Sequence, residues 1–244
     1  WLCMMWPRLV LLRELLSETG SIWITLDDNE GHRARMVLDE IFGADNFIAS
    51  CIWHKMDSPK NTAEHFSVDH DYVLVYAKQA NAWSLNLLPR TQAMLDRYQN
   101  PDNDPRGRWL LSDLDARNPY SKGLYPITTP TGRVVDGPPK GKYWRISKEK
   151  FYGVNADNRI WWGADGGAAP NIKRFLSEVK DGVVPQTIWP WTVVGSTRNA
   201  KTELLNILAS GADHEIFVTP KPTQLVERVL AIGASTDSLI LDSF

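Results

Sequence analysis

The sequence predicts an α/β fold whose sheet is interrupted by a second, mostly β segment. In the first third of the chain, helical periodicity and short β-rich runs alternate in the order helix, strand, helix, strand, loop, strand. That order is typical of a layered sheet with helices on its faces. From Asn81 onward Gly, Pro, Asn, Asp and Trp become frequent and helical periodicity fades, before the α/β pattern resumes. We therefore expect a core formed by residues 1–80 and 197–244 around an insertion at 81–196.

The core elements of the first half can be bounded from local signals. A helix is expected over residues 5–19, closed by Gly20, because glycine is the usual residue just past a helix C-terminus. The run 21–26, Ser-Ile-Trp-Ile-Thr-Leu, is rich in β-forming residues and predicts a buried parallel strand. Two further strands are expected at 47–53 and 72–77.

A second helix is expected between the first two strands. Asp28 or Asn29 is placed to cap it, because short polar side chains accept hydrogen bonds from the first helical amides. Val37, Leu38 and Ile41 then fall on one side of the helix, which we expect to face the core.

The insertion is expected to be loop-rich. Turn residues cluster at 101–107 and 138–142, and short strand-like pieces lie between them at 125–129 and 133–135.

The end of the chain resumes the core pattern. Residues 201–210 and 223–232 read as helices. The second helix follows a Thr-Pro-Lys-Pro turn at 219–222, where the prolines stiffen the turn and start the helix. An apolar run at 238–242 is expected to be a strand.

Composition limits the classes of protein to be considered. Hydrophobic residues make up 43% and charged residues 23% of the chain, as in ordinary globular proteins. The two cysteines, Cys3 and Cys51, do not form a metal-binding pair or a disulfide framework, so a reducing, cytoplasmic setting is expected. No apolar run reaches the ~20 residues that a membrane-spanning helix needs.

The net charge of −2 hides an asymmetry along the chain. Residues 89–174 contain 15 Lys and Arg against 9 Asp and Glu, a net charge of +6, whereas the rest of the chain is acidic. A basic segment inside an acidic frame favours contact with a polyanion, with a solvated surface of scattered charge as the alternative.

The whole chain resembles a known enzyme family. The Thr-Pro-Lys-Pro turn, helix and apolar run ending in Asp-Ser-Phe resemble the cofactor-binding stretch of β-class amino-methylating DNA methyltransferases. Further blocks resemble the modification subunit of type III restriction–modification systems. They lie at residues 20–30, 38–43, 46–48, 70–77, 100–107, 126–133, 174–179 and 184–187.

This resemblance implies a partial Rossmann-like methyltransferase sheet interrupted by a target-recognition domain. It implies transfer of a methyl group from S-adenosylmethionine to the exocyclic amino group of adenine in double-stranded DNA. It also implies a second modification subunit, as a homodimer, and a restriction subunit as partners. The catalytic Asp-Pro-Pro-Tyr motif is expected upstream of Trp1 and a glycine loop after Phe244. We therefore expect this chain to be an inactive fragment that carries no catalytic residue.

The resemblance also implies where the cofactor is held. Asp242 would orient the cofactor or the glycine loop, and Lys221 would pair with the cofactor carboxylate. The plainer interpretations, a turn-forming aspartate and a surface lysine at a helix start, remain open. The candidate cofactor-binding residues are Thr219, Pro220, Lys221, Pro222, Asp242 and Phe244.

Basic residues of the insertion, with two from the preceding loop, are the candidates for DNA contacts. Arginine is suited to bidentate contact with guanine, and lysine to phosphate. The candidates are Lys55, Lys60, Arg106, Arg108, Arg133, Lys140, Lys142, Arg145, Lys173 and Arg174, with Arg117 as a further possibility. Interleaved tryptophans at 109, 144, 161 and 162 are expected to be mainly core anchors, with base stacking as the alternative.

Other functions are weaker hypotheses. The acidic run 27–30 and the set Cys51, His54, His65 and His70 are possible metal ligands, but a helix start and a strand explain them more simply, and no metal site is expected. A non-catalytic DNA-recognition module and an amino methyltransferase acting on cytosine remain alternatives. Carbon-5 cytosine methylation is set aside because neither cysteine follows a proline.

Overall fold

The structure is a computed structural model that describes residues 1–208 and 219–243. The helices, in chain order, are α1 (Leu2–Leu15), α2 (Gly31–Phe42), α3 (Gln92–Asp96), α4 (Lys148–Ala156), α5 (Trp191–Val194), α6 (Thr197–Ile207) and α7 (Thr223–Gly233). Short 3-10 turns occur at Ala44–Asn46, Ser121–Gly123 and Leu176–Glu178. The mixed α/β class expected from the sequence is confirmed.

The strands are mostly short outside the first third of the chain. They are β1 (Ser21–Leu26), β2 (Phe47–His54), β3 (His70–Ala77), β4 (Trp109–Asp113), β5 (Asp115–Ala116), β6 (Ile127–Thr128), β7 (Val134–Val135), β8 (Tyr143–Trp144), β9 (Ile160–Trp161), β10 (Asn171–Phe175) and β11 (Ile188–Trp189).

The described residues form two compact units, one from 1–88 with 183–243 and the other from 89–182. We call them the sheet unit and the insertion unit. The sequence had assigned 81–88 and 183–196 to the insertion, but these flanks belong to the sheet unit. Leu88 and Val194 lie in its core, because apolar side chains in a Pro- and Trp-rich stretch can bury as well as those of a regular strand.

The sheet unit contains a four-stranded mixed sheet in the order β1-β3-β2-β11. β3 pairs antiparallel with both β1 and β2, and β11 pairs parallel with β2. The expected parallel pairing of β1 is therefore wrong. β1 does run in the same direction as β2, but β3 lies between them, and β1 is the half-buried edge of the sheet.

Helices cover both faces of this sheet. On one face Met5 and Leu9 of α1 and Val37 and Leu38 of α2 pack with Leu74. On the other face, α5 and α7 contribute buried side chains to a core shared with β2, β3 and β11.

The start of α2 differs from expectation. Its N-cap is Glu30, which makes no side-chain cap bond. Asp27 instead accepts hydrogen bonds from the backbone and side-chain amides of Asn29, at 3.1 and 2.9 Å, so these residues form a local turn before the helix rather than a cap.

The insertion unit has its own core and its own small sheets. β4, β10 and β9 form a three-stranded antiparallel sheet, and β5–β8 and β6–β7 form two-stranded ribbons. A cluster of buried apolar residues lies among them. Its members are Leu114, Tyr125, Ile127, Trp144, Phe151, Ile160 and Trp162.

Gly123 fixes how closely the 3-10 turn at Ser121–Gly123 approaches β8. A Cβ atom at this position would lie 2.3 Å from the carbonyl oxygen of Trp144. The backbone oxygen cannot move without breaking the β5–β8 ribbon, so only glycine fits.

No helix in the described part of the chain is both long enough and apolar enough to cross a membrane.

Replacing Gly123 tests the packing of the insertion unit. We expect Gly123→Ala to lower the free energy of unfolding by about 1–3 kcal/mol, because overpacking against backbone cannot be relieved by a side-chain rotation. Urea unfolding of the full-length gene product, followed by tryptophan fluorescence, measures the change.

The matched control is Gly137→Ala in the same unit, where a Cβ would meet no atom within 4 Å. It should leave the urea midpoint unchanged. An equal loss of stability in both variants would contradict the close approach described for Gly123.

Candidate cofactor and nucleic-acid sites

The Thr-Pro-Lys-Pro turn is anchored through its prolines. Pro220 and Pro222 are buried, whereas Lys221 between them is exposed. Glu203 of α6 accepts hydrogen bonds from the backbone amide and the hydroxyl of Thr223, at 3.0 and 3.1 Å. A carboxylate therefore occupies the amino end of α7, where it is also favoured by the helix dipole.

The turn lies against the end of β2. The Trp53 indole nitrogen donates a 2.9 Å hydrogen bond to the carbonyl oxygen of Gly195. Gly195 has φ +78, and a Cβ there would lie 2.7 Å from Cβ of Pro222 and 2.5 Å from the side-chain oxygen of Gln224. Glycine is therefore required by both its conformation and the close approach of the turn.

This contact places Lys221 beside an aromatic ring at the carboxyl end of β2. Its ammonium nitrogen lies 5.9 Å from the centroid of the Trp53 ring, within the range of a weak cation–π contact. Among residues 1–208 and 219–243, Lys221 has no ion pair. Because β2 and β11 are parallel and both end here, the lysine lies at the sheet edge where open α/β sheets bind ligands.

The remaining candidates for the cofactor site are less well defined. Thr219 and Asp242 are exposed, and Phe244 lies outside the described residues. The strand expected at 238–242 is wrong, since the run has no regular structure and Leu239 is 99% exposed. An apolar run becomes a strand only when another strand satisfies its backbone groups, and none of the described strands pairs with it.

The structure divides the candidate DNA contacts by whether a carboxylate already neutralises them. Lys55 pairs with Asp71, and Lys142 pairs with Asp115, each at 2.6 Å. Two others are held more extensively in a buried network described below. The candidates that are exposed and have no ion pair among the described residues are Lys60, Arg108, Arg133, Lys140, Arg145 and Arg174; Arg117 shares this state.

Lys173 and Arg106 are structural rather than DNA-facing, which corrects their assignment from sequence. Lys173 is 1% exposed and its ammonium contacts the carboxylates of Asp102 and Asp104. Arg106 makes a bidentate pair with Asp104 at 2.9 Å and a second pair with Asp157 at 3.1 Å. The charges of both cations are already neutralised by carboxylates of the insertion unit.

The charges of this network set the pKa values of its carboxyls. Hydrogen bonds from Arg106 hold the pKa of Asp104 well below its usual range, against the opposing effect of burial. Burial alone would raise the pKa of Asp102, but bonds from Lys173 and Trp109 lower it. Both groups are therefore ionised at neutral pH, as the buried lysine requires.

The interleaved tryptophans are mainly core residues. Trp109, Trp144 and Trp162 are buried, and half-buried Trp161 packs on Trp109 with ring centroids 5.1 Å apart. They stabilise the insertion unit.

The possible metal ligands do not assemble into a site in the described part of the chain. Among those residues, no group of three or more His, Cys, Asp or Glu side chains is arranged to hold a metal ion. Cys51 is buried in the sheet, where desolvation raises its pKa to about 11. His54 and His70 lie opposite each other in the β2–β3 ladder.

Sequence reasoning missed the residues that position Lys221. Trp53 and Gly195 are 142 positions apart, and no local pattern connects them. The only sequence signal was Gly195 itself, which follows an apolar helix and precedes a serine N-cap.

Comparison with known proteins identifies the family. A family model described as DNA methylase matches residues 1–244. The chain belongs to the DNA methylase family. The resemblance drawn from the sequence is thereby confirmed.

The relatives include type III and type II modification enzymes. The chain is 32% identical to the type III restriction-modification enzyme StyLTI Mod subunit of Salmonella typhimurium, over 100% of this chain and 36% of that protein. It is 35% identical to the EcoP15I Mod subunit of Escherichia coli, over 100% of this chain and 42% of that protein. It is 27% identical to the type II methyltransferase M.KpnI of Klebsiella pneumoniae, over 100% of this chain and 60% of that protein. The chain thus spans less than two thirds of each of these relatives.

The buried charge network predicts a large effect of removing Asp104. We expect Asp104→Ala to destabilise the insertion unit by about 1–3 kcal/mol at pH 7, because Lys173 and Arg106 would lose the buried carboxylate that they share and keep only Asp102 and Asp157 as partners. Urea unfolding of the full-length gene product measures the loss.

The pH dependence distinguishes this cause from a simple cavity. A carboxyl whose pKa is lowered on folding contributes stability above its unfolded pKa of about 4 and loses it as the pH falls. The difference between wild type and variant should therefore shrink below pH 4. Asp113→Ala, which removes an exposed carboxylate of β4, should change stability by less than about 0.5 kcal/mol. A difference that stays constant down to pH 2 would contradict the electrostatic explanation.

Proposed function

We propose that this chain is part of an S-adenosylmethionine-dependent DNA adenine methyltransferase of a type III restriction–modification system. In this proposal the sheet unit is the Rossmann-like core and the insertion unit is the target-recognition domain. Family membership and the names of the relatives support the reaction class. The observation that carries the proposal is the clasp of Trp53, Gly195 and Pro222, which holds Lys221 at the carboxyl ends of parallel strands.

The names of the type III relatives support DNA and a restriction subunit as partners, and the sequence resemblance supports a second modification subunit. Double-stranded DNA is the substrate, and a restriction subunit and a second copy of the modification subunit complete the assembly. We place the enzyme in the cytoplasm, together with DNA and cofactor.

The residues around Lys221 fit S-adenosylmethionine. The cofactor carries a carboxylate, and Lys221 offers an exposed ammonium without an ion pair in the described chain. The neighbouring Trp53 ring is buried beneath the turn, and the ammonium of Lys221 lies over it. The backbone amide of Thr223 is already satisfied by Glu203 and is not available to the cofactor. When bound, the cofactor supplies an activated methyl group.

The chain's own residues then bind and orient. Lys221 holds the cofactor carboxylate on a turn that two buried prolines keep rigid, so little conformational freedom is lost on binding. The exposed, unpaired arginines of the insertion unit bind DNA phosphates, with affinity that falls as salt rises. No residue of this chain is assigned to activation of the adenine amino group.

The reaction itself is tested with the full-length gene product and methyl-labelled S-adenosylmethionine. We expect label in genomic DNA on adenine N6 and none on cytosine. Label on cytosine N4 would favour the cytosine alternative. Salt-dependent DNA binding with no label in DNA would favour a non-catalytic recognition module.

The role of Lys221 is tested by substitution. We expect Lys221→Ala to weaken cofactor binding by about 10- to 100-fold, since a hydrogen bond to a charged group contributes about 1.5–3 kcal/mol. Equilibrium dialysis with labelled cofactor measures the affinity. The control Lys201→Ala removes an exposed lysine of α6 and should leave the cofactor affinity unchanged. Equal affinities for both variants would remove Lys221 from the site.

A further inference from the structure

The insertion unit contains a cleft that was not predicted from the sequence. Its volume is about 310 Å³, and its lining includes Asn118, Tyr120, Tyr143 and Arg145. That volume lies at the lower end of the range for small-ligand sites. The cleft therefore has room for a flat group of the size of a nucleobase.

The walls of the cleft are rigid. Tyr143 lies on the β5–β8 ribbon. The next residue, Trp144, is buried and its indole nitrogen donates a 2.9 Å hydrogen bond to the carbonyl oxygen of Tyr125. The backbone amide of Arg145 donates to the carbonyl oxygen of Leu114 at 2.8 Å. The 3-10 turn at Ser121–Gly123 is held against β8 at Gly123, whose contact with the backbone of Trp144 leaves no space for a side chain.

Aromatic surface is available in this cleft. Tyr120 is 37% exposed and Tyr143 is partly exposed, whereas Trp144 behind them is buried. A tyrosine face can stack on any base and contributes about 1–3 kcal/mol per stacked base. The cleft thus offers a stacking surface to a flat aromatic ligand, and a hydrated phosphate would gain nothing from that surface.

Arg145 supplies the polar contact. It is exposed, and within the described ranges its guanidinium has no hydrogen bond or ion pair. The nearby Lys142 is neutralised by Asp115. Residues 115–150 contain eight Lys and Arg against three Asp and Glu, so the surroundings attract a polyanion while Arg145 remains the unpaired cation of the lining.

We propose that this cleft reads a guanine of the DNA recognition sequence that has left the base stack, with Arg145 donating to O6 and N7 and the tyrosines stacking on the base plane. The inference rests on the proposed DNA methyltransferase function and adds the residue and the base. We assign Arg145 to a base rather than to a backbone phosphate, because the five donors of arginine form a planar fork that matches the two guanine acceptors. A phosphate contact would not require a concave, aromatic-walled site.

The test uses the full-length gene product and two readouts. The methylated motif is read by sequencing DNA from a host without other adenine methyltransferases, and the bound motif by selection from a random duplex pool. Wild type should give a motif containing at least one guanine. Arg145→Ala should lose discrimination at one guanine position by about 10- to 100-fold, because a bidentate pair discriminates by about 1–3 kcal/mol.

A second variant makes the test specific. Glutamine pairs bidentately with adenine, so Arg145→Gln should shift the preference at that same position from guanine to adenine. The matched control is Arg133→Ala, which removes an exposed, unpaired arginine from the turn between β6 and β7. It should weaken binding to all sequences alike and leave the motif unchanged.

The outcomes separate the two proposals. If wild type selects a motif but methylates no DNA, the proposed reaction fails while the cleft is still tested by the bound motif. A motif without guanine, or one unchanged in Arg145→Ala and Arg145→Gln, overturns the cleft proposal. The thermal unfolding midpoints of all variants must match wild type; loss of binding with unfolding in Arg145→Ala makes Arg145→Gln the deciding variant.

Discussion

The sheet unit depends on the burial of β3 on both of its faces. Val73 and Val75 point into the core shared with α5 and α7, whereas Leu74 and Tyr76 point into the core shared with α1 and α2. One strand therefore couples both helical layers, and its two antiparallel partners are held in register by the same alternation. This coupling also positions the end of β2, and with it the Trp53 contact that holds the turn at Lys221.

The buried charge network of the insertion unit differs from the two candidate binding sites in how its cations are paired. In the insertion unit, carboxylates from one turn neutralise a buried lysine and a neighbouring arginine, since an unpaired charge inside a protein is strongly destabilising. At Lys221 and Arg145 the cation instead stays exposed and no carboxylate in the described chain pairs with it. A cation that folding leaves unneutralised, on rigid backbone, is the one that can bind an anion or a base edge without breaking an internal pair.

The bounds of several helices and strands could be predicted from the sequence, whereas the pairing of the strands could not. The bounds of β1 and α7 were predicted almost residue by residue, because apolar periodicity and proline signals are local. The pairing of β1 was wrong because strand order is decided by contacts across 50 residues of chain. The strand at 238–242 was wrong for the same reason, since local apolar character says nothing about a neighbour. In β10, Lys173 and Arg174 look equivalent in sequence. Strand alternation buries the first beside Phe175 and exposes the second, and only the register decides which.

The same reasoning explains why residue type alone overestimates a DNA surface. Of ten basic candidates, four are bound by carboxylates of their own unit, and those pairs stabilise the fold that presents the others. Under the proposed function, the positive net charge of the insertion unit would steer DNA to it without choosing a sequence. In our proposal, selection requires an unpaired cation on a rigid wall, and Arg145 fits because a ribbon, a buried tryptophan and a close glycine contact fix the wall from which it extends.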